Sequence, residues 1–335
     1  MKSPQKILLI RPDRLGDLIL SLPVAESLKK ALPRTEVCYL ASRYTSAVAS
    51  MVDYVDGWEI DDRGDGRRLH VDELKKKILA GGFDCIIDLK PSWRTAWAGF
   101  ISGAGCRIGT SRRAYSIFYN YRVNVHRRSS GMHQTDLELR HLGALEIDVS
   151  AAAPRMEADS AGKQSAETLL ALNGRPYIVI HPGSAGSSPN WPLENYRQLA
   201  RVITEKTDHK VVITNRDNDI EGFDGCVNLG GKTDLQSLAG ILSGSQLFIS
   251  GSTGPLHLAD ALGATCVSFF VDRSDIGPSR WGPRRNMGGV ITPDRKCACG
   301  RTSKCRCLER VSIETAFNKI DSLLRSRKHR TVGKK

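Results

Sequence analysis

Short apolar runs alternate with amphipathic stretches along almost the whole chain, and the series occurs twice. In its first half the spacing predicts strands at 6–10, 36–41 and 84–89, with another short strand beginning at Arg107 and Ile108. Helices are predicted at 16–32, 44–52, 71–79, 94–101 and 134–142, the last stopped by Gly143. Residues 148–165 are rich in Ala, Ser and Pro, keep no period and read as a linker. The alternation then restarts, with strands at 177–180, 210–214, 247–250 and 265–270. Helices are predicted at 166–172, 193–205, 235–242, 255–262 and 313–324. Strands this short, joined by helices, specify parallel α/β units. The expected organisation is two Rossmann-like domains, 1–155 and 156–325, followed by a basic tail at 326–335. Two parallel sheets facing a central cleft would present a ligand to the carboxyl ends of their strands.

Composition narrows the class. With 40 % hydrophobic and 25 % charged residues, the chain reads as soluble and globular rather than disordered or membrane-spanning. Its early apolar run, Ile7 to Ile10, is too short for a secretory signal or a membrane span, so a cytoplasmic location is expected. The formal net charge of +13 is unevenly placed. One basic cluster, from Arg107 to Arg128, holds Arg112, Arg113, Arg122, Arg127 and Arg128, interleaved with Tyr115, Phe118, Tyr119 and Tyr121. A second is the tail, with Arg325, Arg327, Lys328, Arg330, Lys334 and Lys335. Such clusters suit anionic lipid, phosphorylated substrates or nucleic acid, and a terminal one can also be simply solvated. Nucleic acid is disfavoured because no reader motif accompanies the charge.

Three strand-to-helix junctions carry the candidate chemistry. The first is Arg11-Pro12-Asp13-Arg14-Leu15-Gly16-Asp17. Gly16 is expected to make the sharp turn, leaving Asp17 at the helix start, where it could accept a proton from a bound hydroxyl or merely cap the helix. The second runs from His181 to Pro192 and offers glycines and serines, Ser184 among them, that could cradle a phosphate. The third, Ser250-Gly251-Ser252-Thr253-Gly254-Pro255-Leu256-His257, places hydroxyls, glycines and a first-turn proline where exposed helix N–H groups form an anion site. His257 could donate to a phosphate oxygen or be an ordinary half-buried histidine. Neither a Walker loop nor a dinucleotide fingerprint is present.

Nine cysteines are present, and Cys38, Cys85, Cys106, Cys226 and Cys266 read as small buried hydrophobes. Cys297, Cys299, Cys305 and Cys307 form a C-x-C-x₅-C-x-C cluster that could hold a structural zinc or pair on oxidation. Asp217-Asn218-Asp219 could suggest a metal-bound acidic pair, or could face a ribose.

Together these stretches resemble the ADP-heptose:lipopolysaccharide heptosyltransferases of glycosyltransferase family 9. The likeness lies in residues 11–23, in His181 to Pro192 and in Ser252 to Gly263, with support from Gly230-Gly231-Lys232-Thr233 and Arg107-Ile108-Gly109. It spans about residues 6 to 320. The resemblance implies the GT-B fold, with the N-terminal domain holding the acceptor and the C-terminal one the nucleotide sugar. It implies inversion at the anomeric centre without a catalytic metal or other required cofactor. Carried over, the family's base falls on Asp17, and donor binding on Ser184, Lys232, Ser252, Thr253, Gly254 and His257. Arg14, Arg112, Arg113 and Arg122 are the candidate acceptor contacts. The implied partners are an ADP-sugar and a lipid-linked anionic glycan at the cytoplasmic face of the inner membrane, with the enzyme peripheral to it. The family often has Asp at the position of Ser252, and Lys or Arg where this chain has Pro189, so donor phosphate charge would fall to Arg14 or Lys232. A nucleotide-sugar-binding protein without turnover and a sugar-nucleotide epimerase are the alternatives. Donor hydrolysis or transfer separates the transferase from the first, and dependence of product formation on an added acceptor separates it from the second.

Overall fold

The computed structural model describes residues 3–125, 130–148, 152–183, 186, 188–216, 220–299 and 305–332. The chain divides into two compact units, Met1–Arg155 and Met156–Lys335.

The first unit runs β1 (Lys6–Ile10), α1 (Leu15–Ala31), β2 (Glu36–Ala41), β3 (Gly57–Ile60), α2 (Val71–Ala80), β4 (Cys85–Asp88), α3 (Trp93–Ile101), β5 (Cys106–Thr110), β6 (Tyr121–Val123) and α4 (Gln134–Leu139). Its six strands lie in the order β3-β2-β1-β4-β5-β6 and all pair in parallel. The second unit runs α5 (Ser160–Leu170), β7 (Tyr177–His181), α6 (Leu193–Lys206), β8 (Lys210–Ile213), β9 (Val227–Asn228), α7 (Leu235–Gly244), β10 (Leu247–Gly251), α8 (Gly254–Ala261), β11 (Cys266–Phe269), α9 (Pro278–Trp281), β12 (Val290–Ile291) and α10 (Ile313–Val332). Its order, β12-β11-β10-β7-β8-β9, is the same winding seen from the other side, again parallel throughout. Both units are therefore Rossmann-like. In each, strand order reverses beside the first strand, at β1/β4 and at β7/β10, and crevices for ligands open at such points.

The central strands are apolar because helices cover both faces. In β1, Ile7 to Ile10 are wholly buried, and in β7 so are Ile178 to Ile180. Several predicted bounds move. The 44–52 helix is a 3₁₀ segment, Thr45–Met51. α5 begins at Ser160, capped by the Asp159 carboxylate on the Gly162 N–H at 2.7 Å, so part of the expected linker is helix. α10 continues to Val332. Arg325 and Arg327 of the expected tail thus lie on a helix, where Arg325 pairs with Asp321 at 2.8 Å and Arg327 donates to the Gln246 carbonyl at 2.6 Å. Cys226 is only half-buried, unlike Cys38, Cys85, Cys106 and Cys266. No helix is long and apolar enough to cross a membrane, among the described residues.

Candidate active site

At the first reversal point, β1 ends and Arg11 begins the loop to α1. Arg11 is fully buried, and its guanidinium is the hub of an ionic cluster. One Nη donates to Asp17 Oδ1 at 2.7 Å, and Nε lies 3.1 Å from Asp13 Oδ1. The other Nη lies 3.1 Å from Glu138 Oε1 on α4 and donates to the Leu89 carbonyl at 2.6 Å. Lys90 follows β4 and meets Asp13 Oδ2 at 3.1 Å. Both loops of the crevice are thereby tied to one guanidinium. Burial opposes the charge on Arg11, but Glu138, Asp13 and Asp17 outweigh it and hold its proton more tightly than usual.

Asp17 lies in the first turn of α1, yet it does not cap it. The N-cap is Arg14 in extended conformation, with no side-chain cap bond. Gly16 lies within the helix rather than in the turn, and its φ is not positive, so the turn expected of Gly16 is made without it. Asp17 Oδ2 accepts no hydrogen bond among the described residues. Burial raises its proton affinity; Arg11 and Lys90 oppose that, while Asp13 and Glu138 add to it. Here three carboxylates share two cations, and an excess of negative charge favours the protonated form. A partly exposed carboxylate with raised basicity, fixed by one oxygen and open at the other, is suited to general-base work. Arg14 beside it is exposed and makes no ion pair among the described residues.

Arg11, Asp13, Lys90 and Glu138 were not candidates on sequence grounds. Arg11 did leave a trace, as a charge placed directly after the apolar run Ile7 to Ile10. Glu138 left none, because its partner is far away in sequence. A second buried carboxylate, Asp88 at the end of β4, accepts from the Tyr119 hydroxyl at 2.7 Å. Burial pushes its carboxyl up to about 6, against hydrogen bonds from Thr95 and Tyr119. Gly109 makes room for that tyrosine, since a Cβ there would stand 2.5 Å from the Tyr119 ring.

The basic cluster divides into packed and exposed arginines. Arg107 is structural: it donates to the carbonyls of Phe118, at 2.9 Å, and Ala104, and it lies over the Phe100 ring. Arg112, Arg113 and Arg122 are exposed. Arg127 and Arg128 lie outside the described residues, as do Ser184 and Asp217 to Asp219.

In the second unit the loops after β7 and β10 meet. Ser188 Oγ donates to the Ser252 carbonyl at 2.8 Å, and Asn190 Nδ2 donates to the Pro182 carbonyl. Gly251 permits the approach, because a Cβ there would lie 2.8 Å from Asn190 Oδ1. Trp191 anchors the loop from below, stacked on Phe269 at 4.3 Å with its N–H on the Val311 carbonyl at 3.0 Å. Thr253 caps α8, its Oγ1 accepting from the Leu256 N–H at 3.4 Å. Gly254 opens α8, so its N–H has no acceptor within the helix, and Pro255 after it has no N–H to leave unpaired. A glycine N–H, a threonine hydroxyl and the positive end of the helix dipole make an anion site. His257 is buried in the turn just behind. His181, at the end of β7, faces Thr214 Oγ1 at 3.1 Å, and burial pushes its imidazole down to about 4, so it is neutral near pH 7. Lys232 is exposed, donates to the Asn228 carbonyl at 3.1 Å, and follows β9, with β8 and β7 between it and β10.

The four clustered cysteines also converge. Sγ of Cys297 lies 3.3 Å from that of Cys305, and Sγ of Cys299 lies 3.5 Å from that of Cys307, with all four within 4.8 Å of one another. Tetrahedral zinc with Zn–S bonds of about 2.3 Å requires sulfurs about 3.8 Å apart, so the set fits a four-thiolate metal.

Comparison with known proteins bears on the fold and the family. A Haemophilus influenzae protein, provisionally described as a glycosyltransferase, is 28 % identical over 346 residues, covering 96 % of this chain and 97 % of its own. Among solved structures, a glycosyl transferase family 9 protein of Veillonella parvula superposes with a TM-score of 0.82 at 20 % identity, over 96 % of this chain and 97 % of that one. The E. coli ADP-heptose lps heptosyltransferase II gives 0.79 at 17 %, over 96 % and 99 %. The expected GT-B class of two Rossmann-like halves is the fold observed. The model of glycosyltransferase family 9 (heptosyltransferase) matches residues 71–310, and with it the chain is placed: it belongs to that family.

Proposed function

We propose that this chain is an inverting transferase that moves a heptose or a related sugar from an ADP-sugar to a lipopolysaccharide inner-core acceptor. Its first unit would take the acceptor and its second the donor. Support for the donor comes from related E. coli structures described as holding ADP and an ADP-fluoroheptose. Support for the acceptor comes from a relative named a lipopolysaccharide core heptosyltransferase.

One observation carries the chemistry: Asp17 is held through one oxygen by a buried guanidinium, and its proton affinity is raised. In the proposed step the free oxygen of Asp17 takes the proton of an acceptor hydroxyl. The oxygen of that acceptor hydroxyl forms a bond to the anomeric carbon, and the bond from carbon to the diphosphate breaks on the opposite face, carrying its electron pair away. The Gly254 N–H, the hydroxyls of Thr253 and Ser252, Ser184 and His257 would hold the departing diphosphate. Lys232 is assigned to the donor from its turn after β9. Arg14, Arg112, Arg113 and Arg122 are assigned to acceptor phosphates. No metal takes part in this step.

Asp17→Asn tests the assignment. We expect a loss of turnover of about 10²- to 10⁴-fold with ADP affinity unchanged, and unaltered turnover would exclude Asp17 as the base.

We further assign a structural zinc to Cys297, Cys299, Cys305 and Cys307. A related E. coli enzyme is described as iron-containing, so metal analysis of the purified chain must separate the two. Iron in place of zinc, or neither metal, would remove the assignment. Membrane association at the cytoplasmic face follows from a lipid-linked acceptor and belongs to the same proposal.

A further inference from the structure

The face of α3 that points away from the first unit's core is aromatic. Trp93, Trp97 and Phe100 recur at the spacing of one helix face and are 58 %, 39 % and 45 % exposed, while Thr95, Ala96, Ala98 and Gly99 face inward. The 3₁₀ segment Ala114–Phe118 extends the patch with Ile117, 65 % exposed, and wedges Phe118 among the three rings. Centroids of Phe118 stand 5.8, 4.9 and 5.4 Å from Trp93, Trp97 and Phe100. Contacts of this kind hold the rings as an ordered projection. Arg112, Arg113 and Arg122 border it in sequence and are exposed; none meets a carboxylate among the described residues.

We infer that this face docks on a bilayer, with the aromatic rings in the interfacial layer and the arginines at its anionic surface, where a lipid-linked acceptor would also present its phosphates. An apolar patch flanked in sequence by exposed arginines suits a surface that is anionic outside and apolar within. Tryptophan is favoured at that depth because its ring is apolar while its N–H stays near water. A second copy of the chain fits less well, since it would bring its own positive charge, +13 in all, to the same arginines. The inference deepens the membrane part of the proposed function and stands whether or not the chain transfers sugar.

The test uses the full chain with vesicles of phosphatidylglycerol and phosphatidylcholine. Wild-type protein should sediment with them, and lipids brominated in the acyl chains should quench its tryptophan fluorescence. Trp93→Phe with Trp97→Phe should keep sedimentation and lose most of that quenching. Trp93→Ser with Trp97→Ser should lower the bound fraction by roughly tenfold, with ADP affinity unchanged. Three results would overturn the inference. One is equal quenching in the phenylalanine variant. Another is unchanged binding in the serine variant. The last is a serine variant whose oligomeric state changes while vesicle binding does not, which would mark the face as a contact between copies. The phenylalanine variant preserves ring packing, so it decides the matter even if the serine variant fails to fold.

Discussion

Arg11-Pro12 follows β1 and His181-Pro182 closes β7, so a buried basic residue followed by proline stands at the same place in each unit. Their charge states differ. Arg11 is surrounded by Asp13, Asp17 and Glu138 and stays charged, whereas His181 faces a threonine hydroxyl and is driven neutral by burial alone. The neighbouring loops follow suit. The first unit gathers carboxylates, which can move a proton. The second offers hydroxyls, glycine N–H and a helix start, which can hold an anion without a fixed countercharge. One winding of the chain thus supports two kinds of electrostatics, and the residues just past the strands decide which.

Removing the hub should break the contrast most severely. Arg11→Met would leave buried carboxylates uncompensated and should destabilise the protein by about 3–5 kcal/mol, read from urea unfolding. A loss no larger than that of an ordinary surface substitution would mean the cluster holds little.

Opposite pH dependences should sharpen it. Asp88 has a folded value of about 6, above the ordinary 3.8, so between the two the folded state holds more protons than the unfolded one. Its contribution to stability is therefore complete at low pH and declines as pH rises through that window. His181 has a folded value of about 4, below the ordinary 6.5, so the unfolded state holds more protons and stability is lost as pH falls from 6.5 towards 4. Each effect is bounded at about 3 kcal/mol by the size of the shift. Relative to wild type, Asp88→Asn should gain stability from pH 4 to 6, and His181→Asn should gain it in the reverse direction. Parallel slopes for the two variants would refute the contrast.

The smallest expected effect lies at the anion site. Thr253→Val removes the cap of α8 and should cost about 1 kcal/mol of stability together with a measurable fall in ADP affinity, seen by calorimetry. Stability lost with affinity intact would leave Thr253 as a cap alone.

Reading the fold from the sequence succeeded for strands covered on both sides. Seven of the eight interior strands, β1, β2, β4, β7, β8, β10 and β11, lie in apolar runs that stand out, while β5, Cys-Arg-Ile-Gly-Thr, showed only its start at Arg107 and Ile108. The four edge strands, β3, β6, β9 and β12, went unseen. An edge strand is short and half-solvated; β6 is Tyr-Arg-Val and β9 only Val-Asn, and neither leaves an apolar run to detect. The candidate site was legible in the same uneven way. Thr253, Gly254 and Pro255 declare a helix start locally, because capping and the missing proline N–H are properties of neighbours in sequence. Asp17 was visible as a position. What holds it was not.

The order of apolar and amphipathic segments alone determined that this chain folds as two parallel α/β units, since the periods of strand and helix are written residue by residue. Tertiary structure decided that Glu138 meets Arg11, that Asp17 becomes more basic than an ordinary aspartate, and that four cysteines converge within 4.8 Å. Desolvation and Coulomb interactions depend on distance in space, and no local pattern in the chain encodes that distance.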